Sequence, residues 1–149
     1  MLFTPDVIVT TDYSPATIAL VGEAKSVTAN LDEAALQLKE YMLLMGCPVG
    51  IIFTPLVLRI YRYRFLGRTP DSIELVGDFP SGELLEARVP AAGSESAVES
   101  SLYGWLDELA HTGQVAVSDQ RLKSAINEHI LPAVSGGRVS IVHPSTGES

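Results

Sequence analysis

The sequence predicts an α/β protein of three layers, with a central mixed β-sheet between helices. Apolar stretches at residues 6–11 and 17–25 carry β-branched side chains on both faces, which is typical of interior strands covered by helices on each side. A helical repeat at 31–45 then leads into a further apolar run at 49–54. Strand, helix and strand with short links form a βαβ unit, so we expect the strands at 17–25 and 49–54 to run parallel.

The composition is that of a folded, globular chain. It has 149 residues, of which 46% are hydrophobic and 19% charged, and a single cysteine, Cys47. A domain of this length buries roughly two-thirds of its unfolded surface. We expect no internal disulfide, no membrane-spanning segment and a reducing, cytoplasmic setting.

We expect a single domain over residues 1–149. Residues 1–66 would form its core, 67–135 would add a strand and helices that pack on this core, and 136–149 would form a tail that frays. The net charge of −8 lies in the second half of the chain, because residues 1–70 carry equal numbers of acidic and basic side chains. An acidic protein is a poor non-specific ligand for nucleic acid, but the first half is not excluded from such binding.

The first two strands are expected to form a hairpin. A turn centred between Ser14 and Pro15 pairs residues whose numbers sum to 29, which sets Asp6 opposite Glu23. Directly opposed residues share one face of a sheet, and Lys25, two residues beyond Glu23, shares that face too. The sequence therefore predicts an acid–acid–base cluster at one end of the hairpin.

The next helix has clear start and stop signals. Asn30 is placed to cap its N-terminus, with Glu33 three residues later in the capping-box position. Gly46 supplies a left-handed residue at the C-terminal end, and Pro48 prevents continuation.

Residues 57–65 alternate in polarity and predict a strand nearer to the sheet edge. The arginines in and after this strand are candidates for contacts with nucleic-acid phosphates: Arg59, Arg62, Arg64 and Arg68. An edge protected against aggregation by its charge is an equally good interpretation.

The second half of the chain gives weaker patterns. In chain order they predict a strand at 72–79, a loop at 80–93 with a short helical piece, amphipathic helices at 95–111 and 119–133, the latter stopped near Pro132, and an apolar run at 139–142. The three histidines and Cys47 show no metal-ligand or catalytic spacing.

The order hairpin, helix, parallel strand, antiparallel strand resembles the core of the restriction-endonuclease-like PD-(D/E)XK phosphodiesterase superfamily. Within it, the type I restriction-subunit and RecB-like branches are the most similar. The residues that carry the resemblance are Pro5-Asp6, Glu23-Ala24-Lys25, and Gln37 with Tyr41, whose spacing is similar to the QxxxY motif of those branches. The resemblance covers residues 5 to about 65.

The resemblance implies a magnesium-dependent nuclease that hydrolyses DNA phosphodiester bonds. Asp6 and Glu23 would ligate Mg²⁺, with the main-chain carbonyl of Ala24 as a third oxygen. Lys25 would position the attacking water and stabilise charge on the phosphate. This agrees with the preference of Mg²⁺ for one or two carboxylates together with water and substrate phosphate.

The same resemblance implies that Gln37 and Tyr41 orient the scissile backbone or the catalytic side chains. Members of the superfamily normally carry a strand before the Pro-Asp strand and, before that, a helix that often bears a further acidic residue. This chain begins five residues before Asp6. We therefore expect missing upstream elements, a trimmed variant, or a C-terminal element or second subunit that covers the exposed edge. The helix at 95–111 is the candidate to cover the bare sheet face.

Two other functions are left open. The first is a non-catalytic descendant of the same fold that binds nucleic acid or assembles with other proteins. The second is a homodimer that pairs through the exposed sheet edge, so that a full site spans two subunits. The site residues also have plain structural readings, such as an ion pair at a strand end.

Overall fold

The computed structural model describes residues 3–11, 17–27, 29–85 and 94–142. Its strands are β1 (Val7–Thr10), β2 (Ile18–Ala24), β3 (Val49–Phe53), β4 (Val57–Tyr63), β5 (Ile73–Pro80) and β6 (Arg138–Ile141). Its helices are α1 (Leu31–Met45), α2 (Glu95–Thr112), α3 (Gln120–Ala125) and α4 (Leu131–Val134), with a π-helical turn at Ile126–Ile130 and 3₁₀ turns at Pro70–Ser72 and Gly82–Leu84. No helix in these ranges is long and apolar enough to cross a membrane.

The six strands form one mixed sheet in the order β5-β4-β3-β2-β1-β6. β2 and β3 run parallel, and every other neighbouring pair is antiparallel. The predicted α/β class, the mixed sheet and the parallel βαβ unit are therefore confirmed. The turn predicted at residues 12–15 lies outside the described residues.

Helix α1 begins and ends where its signals predict. The Asn30 side chain accepts hydrogen bonds from the backbone N–H groups of Asp32 (3.1 Å) and Glu33 (3.2 Å), which otherwise lack a partner in the first turn. Gly46 closes the helix in the left-handed conformation (φ 65°), which costs a glycine no steric strain.

Helices cover both faces of the sheet. α1 packs on one face, where it buries a cluster that includes Val21 and Ile52, and α2 to α4 pack on the other, around Ile51 and Leu102. Gly50 of β3 lets α1 approach closely, because a Cβ at this position would lie 2.5 Å from the sulfur of Met42. The expectation that the helix at 95–111 covers the second face is confirmed.

The edge of β1 is covered by the C-terminal strand. β6 pairs antiparallel along the whole of β1, from Val7 opposite Ile141 to Thr10 opposite Arg138. Residues 138–141 thus belong to the sheet and not to the tail expected at 136–149, of which 143–149 lie outside the described residues. A C-terminal element, one of the covers expected for this edge, is therefore found in β6.

The helix predicted at 119–133 lies one residue further along the chain and is less regular than expected. It continues through a π-helical turn at Ile126–Ile130 and ends only at Val134. Pro132 does not stop it, because the proline lies in the first turn of α4, where a missing backbone N–H costs little.

β4 is the second strand from the edge, and β5 is the outer strand. β4 ends at Tyr63, so Phe65 lies beyond it and not within it as expected. Tyr61 and Tyr63 are buried under α1. The face of β4 that carries them has mixed polarity in the sequence, but in the structure it is largely a core face.

Candidate functional site

The predicted hairpin register is found. β1 and β2 pair with residue numbers that sum to 29 from Val7–Gly22 to Val9–Leu20, and the register shifts by one only at Thr10, so the next pair towards the open end is Asp6 with Glu23. The backbone N–H of Asp6 donates both to the carbonyl of Gly22 (3.2 Å) and to Oε1 of Glu23 (3.1 Å). In return, Oδ2 of Asp6 accepts from the backbone N–H of Ala24 (2.8 Å). Each carboxylate is thus held by the backbone of the opposite strand.

Lys25 completes the predicted cluster. Its Nζ lies 3.4 Å from Oε2 of Glu23, and its backbone N–H donates to the carbonyl of Phe53 on β3 (3.0 Å). The side chain keeps 23% of its surface exposed, against 6% for Glu23. The ammonium group therefore stands between a buried carboxylate and solvent.

Glu23 is the most perturbed carboxyl group of the site. Burial raises its pKa to about 8, and the neighbouring charge of Asp6 acts in the same direction. The charge and hydrogen bond of Lys25 act in the opposite direction, without cancelling the effect. A strand end with two adjacent acids and one lysine carries uncompensated negative charge when both acids are ionised.

Lys25 also lines a polar pocket of about 280 Å³ at this end of the sheet, whereas Asp6 and Glu23 do not line it. The pocket lies where α1 and α2 begin, and it is lined by Lys25, Ala29, Asn30, Glu33, Ala34, Gln37 and Glu95. The structure therefore brings Gln37 into one pocket with Lys25.

Glu95 is the pocket residue that sequence reasoning missed. It stands in the first turn of α2, 70 positions after Lys25, and the sequence assigns it only to a helix that covers the sheet. An acidic residue directly after the Ser94 cap is a weak signal, because such residues commonly stabilise a helix N-terminus. Only the packing of α2 places this carboxylate beside the hairpin.

Tyr41 is placed differently from Gln37. Although one helical turn separates them, Tyr41 does not line the pocket and instead packs against the core beneath α1. Its ring meets Phe3 edge-on, with centroids 5.8 Å apart. Burial raises the pKa of its hydroxyl, with a smaller contribution from Cys47. The position of Tyr41 thus fits packing better than direct contact with a substrate.

The predicted phosphate-binding arginines mostly pair with acids of β5. Arg59 makes a bidentate contact with Asp78 (2.7 and 3.0 Å), which raises the pKa of its guanidinium, and Arg62 lies 2.6 Å from Glu74. Both pairs join residues directly opposed across β4 and β5, a stabilising cross-strand arrangement. This geometry favours the structural interpretation of the charged strand over a phosphate track.

The last two arginines lie away from the acidic cluster. Arg64 is 3.8 Å from Glu74, and Arg68 lines a separate pocket near the C-terminal end of α1. α1 has 15 residues, so this pocket is roughly 20 Å from its N-terminus, which lies at the end of the sheet that carries Lys25. The structure does not bring Arg68 to the candidate site.

Cys47 has no catalytic surroundings. It is fully buried at the junction of α1 and β3, and its Sγ–H donates to the carbonyl of Val49 (3.3 Å). Burial raises the pKa of the thiol to about 12, so it stays protonated and unreactive at neutral pH. Its role is packing.

The donors available for a metal ion are few. In the described part of the chain, no group of three or more acidic, histidine or cysteine side chains is arranged to hold one. Asp6 and Glu23 offer two carboxylates, and the carbonyl of Ala24 points to the same side as that of Gly22, towards Asp6, because alternate residues of a strand share their direction. Two carboxylates and a carbonyl fit Mg²⁺, which commonly keeps several waters as its remaining ligands.

Fold and site together define an α/β protein whose mixed, helix-covered sheet carries an acid–acid–lysine cluster at one end. Neither models of known families, nor curated proteins, nor solved structures match this chain.

Proposed function

We propose that the protein is a magnesium-dependent nuclease of the restriction-endonuclease-like type, which hydrolyses DNA phosphodiester bonds. The observation that carries this proposal is the interlocked pair of carboxylates. Asp6 and Glu23 each accept a backbone hydrogen bond from the other strand of the hairpin, and Lys25 stands 3.4 Å from Glu23. The type, order and strand of these residues are those that the superfamily resemblance implies.

The energetic cost of burying Glu23 beside a second acid supports a functional role. Glu23 is only 4% exposed, and it is buried next to a second acid with one lysine to compensate. Such groups lower stability unless they are fully paired, and proteins tend to keep them at functional sites. An apolar residue at position 23 would fit the strand better.

The C-terminal half supplies counterparts to the flanking elements of the superfamily. β6 lies beside β1, where the superfamily has the strand that precedes Pro-Asp, and α2 covers the sheet face expected for the preceding helix. Glu95 then corresponds to the further acid often found on that helix. This order of elements supports a permuted version of the same architecture.

Each residue of the cluster has a defined task in this proposal. Asp6 and Glu23 would hold the metal ion with the carbonyl of Ala24, and Lys25 would donate hydrogen bonds to the attacking water or to a phosphate oxygen. Gln37, on the pocket wall, can orient the scissile strand through its amide. A bound Mg²⁺ would supply charge neutralisation and a water of lowered pKa.

A cleavage assay on plasmid and single-stranded DNA with Mg²⁺ or Mn²⁺ tests the proposal. We expect Asp6→Asn and Lys25→Met to reduce the cleavage rate at least 100-fold, because each removes a charge from the reacting centre. Asp71→Asn is the matched control, since Asp71 is exposed in a 3₁₀ turn outside the pocket. Undiminished cleavage by the two site variants would refute the assigned site.

The alternative is a non-catalytic module that assembles with another protein. It is favoured by an exposed apolar surface far from the carboxylates and by arginines already engaged with acids. Titration calorimetry separates the two functions, because the nuclease requires Mg²⁺ binding that is lost in Glu23→Gln. No heat of binding at millimolar Mg²⁺, together with no cleavage, would favour the assembly module.

A further inference from the structure

Four large apolar side chains are exposed together at the end of the molecule opposite the acidic cluster. They are Leu44 (73% exposed), Met45 (48%), Phe65 (57%) and Leu66 (77%), and we call them the apolar patch. All four line one open pocket of about 570 Å³ between the C-terminal turn of α1 and the segment after β4. Single exposed apolar residues are ordinary on a protein surface, whereas a cluster of this kind marks an interaction site.

The segment after β4 holds Phe65 and Leu66 in place. The backbone N–H of Leu66 donates to Oγ of Ser72 (2.8 Å), and that of Arg64 donates to the carbonyl of Ser72 (2.8 Å). The hydroxyl of Tyr63 donates to the carbonyl of Gly67 (3.0 Å). These bonds fix the backbone on both sides of the two apolar side chains.

Phe65 has a strained backbone. Among the described residues other than glycine, Phe65 is the one with a positive φ (58°). This conformation is unfavourable for a bulky side chain. Its ring stacks on Tyr63, with centroids 3.9 Å apart, and stays more than half exposed. Strain of this kind persists where the surrounding structure enforces it, often at binding surfaces.

The charge of the patch differs from that of the whole chain. The chain carries −8, yet the charged side chain that lines this pocket is that of Arg68. Arg64 lies next to Phe65 and has only a long contact of 3.8 Å with Glu74, which is closer to Arg62. A ligand of this surface would therefore gain from a carboxylate beside its apolar groups.

We propose that the apolar patch is the docking surface for a segment of a partner protein that presents apolar side chains flanked by acidic residues. An amphipathic helix with Leu or Phe on one face and Glu beside it has this chemistry. The apolar side chains of the partner segment fill the pocket, and the carboxylates of that segment pair with Arg68 and Arg64. This surface is independent of the proposed nuclease site, roughly 20 Å away along α1.

A protein segment fits the patch better than nucleic acid does. Leucine and methionine form most of the patch and offer no flat partner for a base, whereas Phe65 already stacks on Tyr63. Of the four arginines that are candidates for phosphate contacts, Arg59 and Arg62 make short ion pairs with acids.

Fluorescence anisotropy with two labelled peptides of about 16 residues tests the proposal. Both would be amphipathic helices with Leu and Phe on one face, and these apolar side chains would be flanked by Glu in one peptide and by Lys in the other. We expect the Glu peptide to bind the full chain with micromolar affinity and the Lys peptide at least fivefold more weakly. Leu66→Asp should weaken binding of the Glu peptide at least tenfold, and Arg68→Glu should weaken it at least fivefold.

Leu56→Asp is the matched control, because Leu56 is 61% exposed at the β3–β4 turn, on the other end of the sheet. Circular dichroism would show that these surface variants fold. The proposal is overturned if the Glu peptide does not bind, if both peptides bind equally, or if Leu56→Asp weakens binding as much as Leu66→Asp. It is also overturned if Leu66→Asp instead abolishes binding of a dT₂₀ oligonucleotide or self-association measured by light scattering.

Discussion

Glu23 concentrates the electrostatic cost of the candidate site in one carboxyl group. Its side chain is almost fully buried, it touches the backbone of Asp6, and its closest cation is Lys25 at 3.4 Å. Burial is the main reason that its pKa rises to about 8. A carboxyl group of this kind makes the stability of the fold depend on pH in an unusual direction.

We expect the stability of the metal-free protein to fall as the pH rises from about 4.5 to about 8. The pKa of Glu23 is about 8 in the folded state and 4.5 without the fold, so the folded state binds the proton more tightly. This contribution is complete below about pH 4.5 and is lost on approaching pH 8. Urea titrations at several pH values would measure it, with a total change on the order of a few kcal/mol.

Glu23→Gln should remove most of this slope and be more stable than the native chain above pH 8, because it carries no ionisable group. Glu33→Gln removes an exposed carboxylate from the pocket rim and should leave the slope unchanged. An equal slope in Glu23→Gln would show that another group titrates in this range.

At the scale of elements, the close seating of helices on the sheet depends on missing side chains. α1 lies over Gly50, where a Cβ would approach Met42 to 2.5 Å and Leu38 to 3.2 Å. On the other face, a Cβ at Gly22 would meet Leu102 of α2 at 3.2 Å. The two glycines therefore set how near the helical layers lie to β2 and β3.

We expect Gly50→Ala to lower the free energy of unfolding by about 1–3 kcal/mol, since the added methyl group overpacks the core under α1. Gly67→Ala is the matched control, because no atom lies within 4 Å of its added Cβ, and it should change stability by less than about 1 kcal/mol. Urea unfolding of both variants would measure this.

A double-mutant cycle identifies the clash. Met42→Ala alone leaves a cavity and destabilises, but combined with Gly50→Ala it should cost less than the sum of the two changes. Strict additivity would mean that Met42 is not the group that Gly50 accommodates.

At the scale of the whole molecule, segments from opposite ends of the chain pair with each other in the sheet. The backbone N–H of Val142 donates to the carbonyl of Asp6 (2.8 Å), and β6 lies along β1. The candidate site therefore depends on contacts between residues more than 130 positions apart. Segment 94–142 covers one face of the sheet with its helices, and it also supplies the outer strand β6.

A circular permutant should fold to the same structure. It would join residue 149 to residue 1 through a short glycine linker and open the chain within 86–93, so that α2 to β6 precede β1. No described helix or strand is cut, and the joined strands are already adjacent, so we expect a melting temperature within a few degrees of the native chain.

A second permutant, opened between Leu38 and Lys39 in the middle of α1, should fail to fold, because it divides a buried helix. Circular dichroism and thermal melting would compare the two. Equal loss of structure in both would contradict the view that the segment from α2 to β6 pairs with β1 irrespective of chain order.

What the sequence by itself determined is local. The strands, α1 with its Asn30 cap and Gly46 end, and the register that pairs Asp6 with Glu23 all follow from periodicity, caps and turns within about 20 residues. What only the tertiary structure decided involves distant partners: β6 beside β1, Arg59 against Asp78, and Glu95 in the pocket of Lys25. Such contacts depend on which surfaces meet when the helices and strands pack, and no short pattern in one chain encodes that choice.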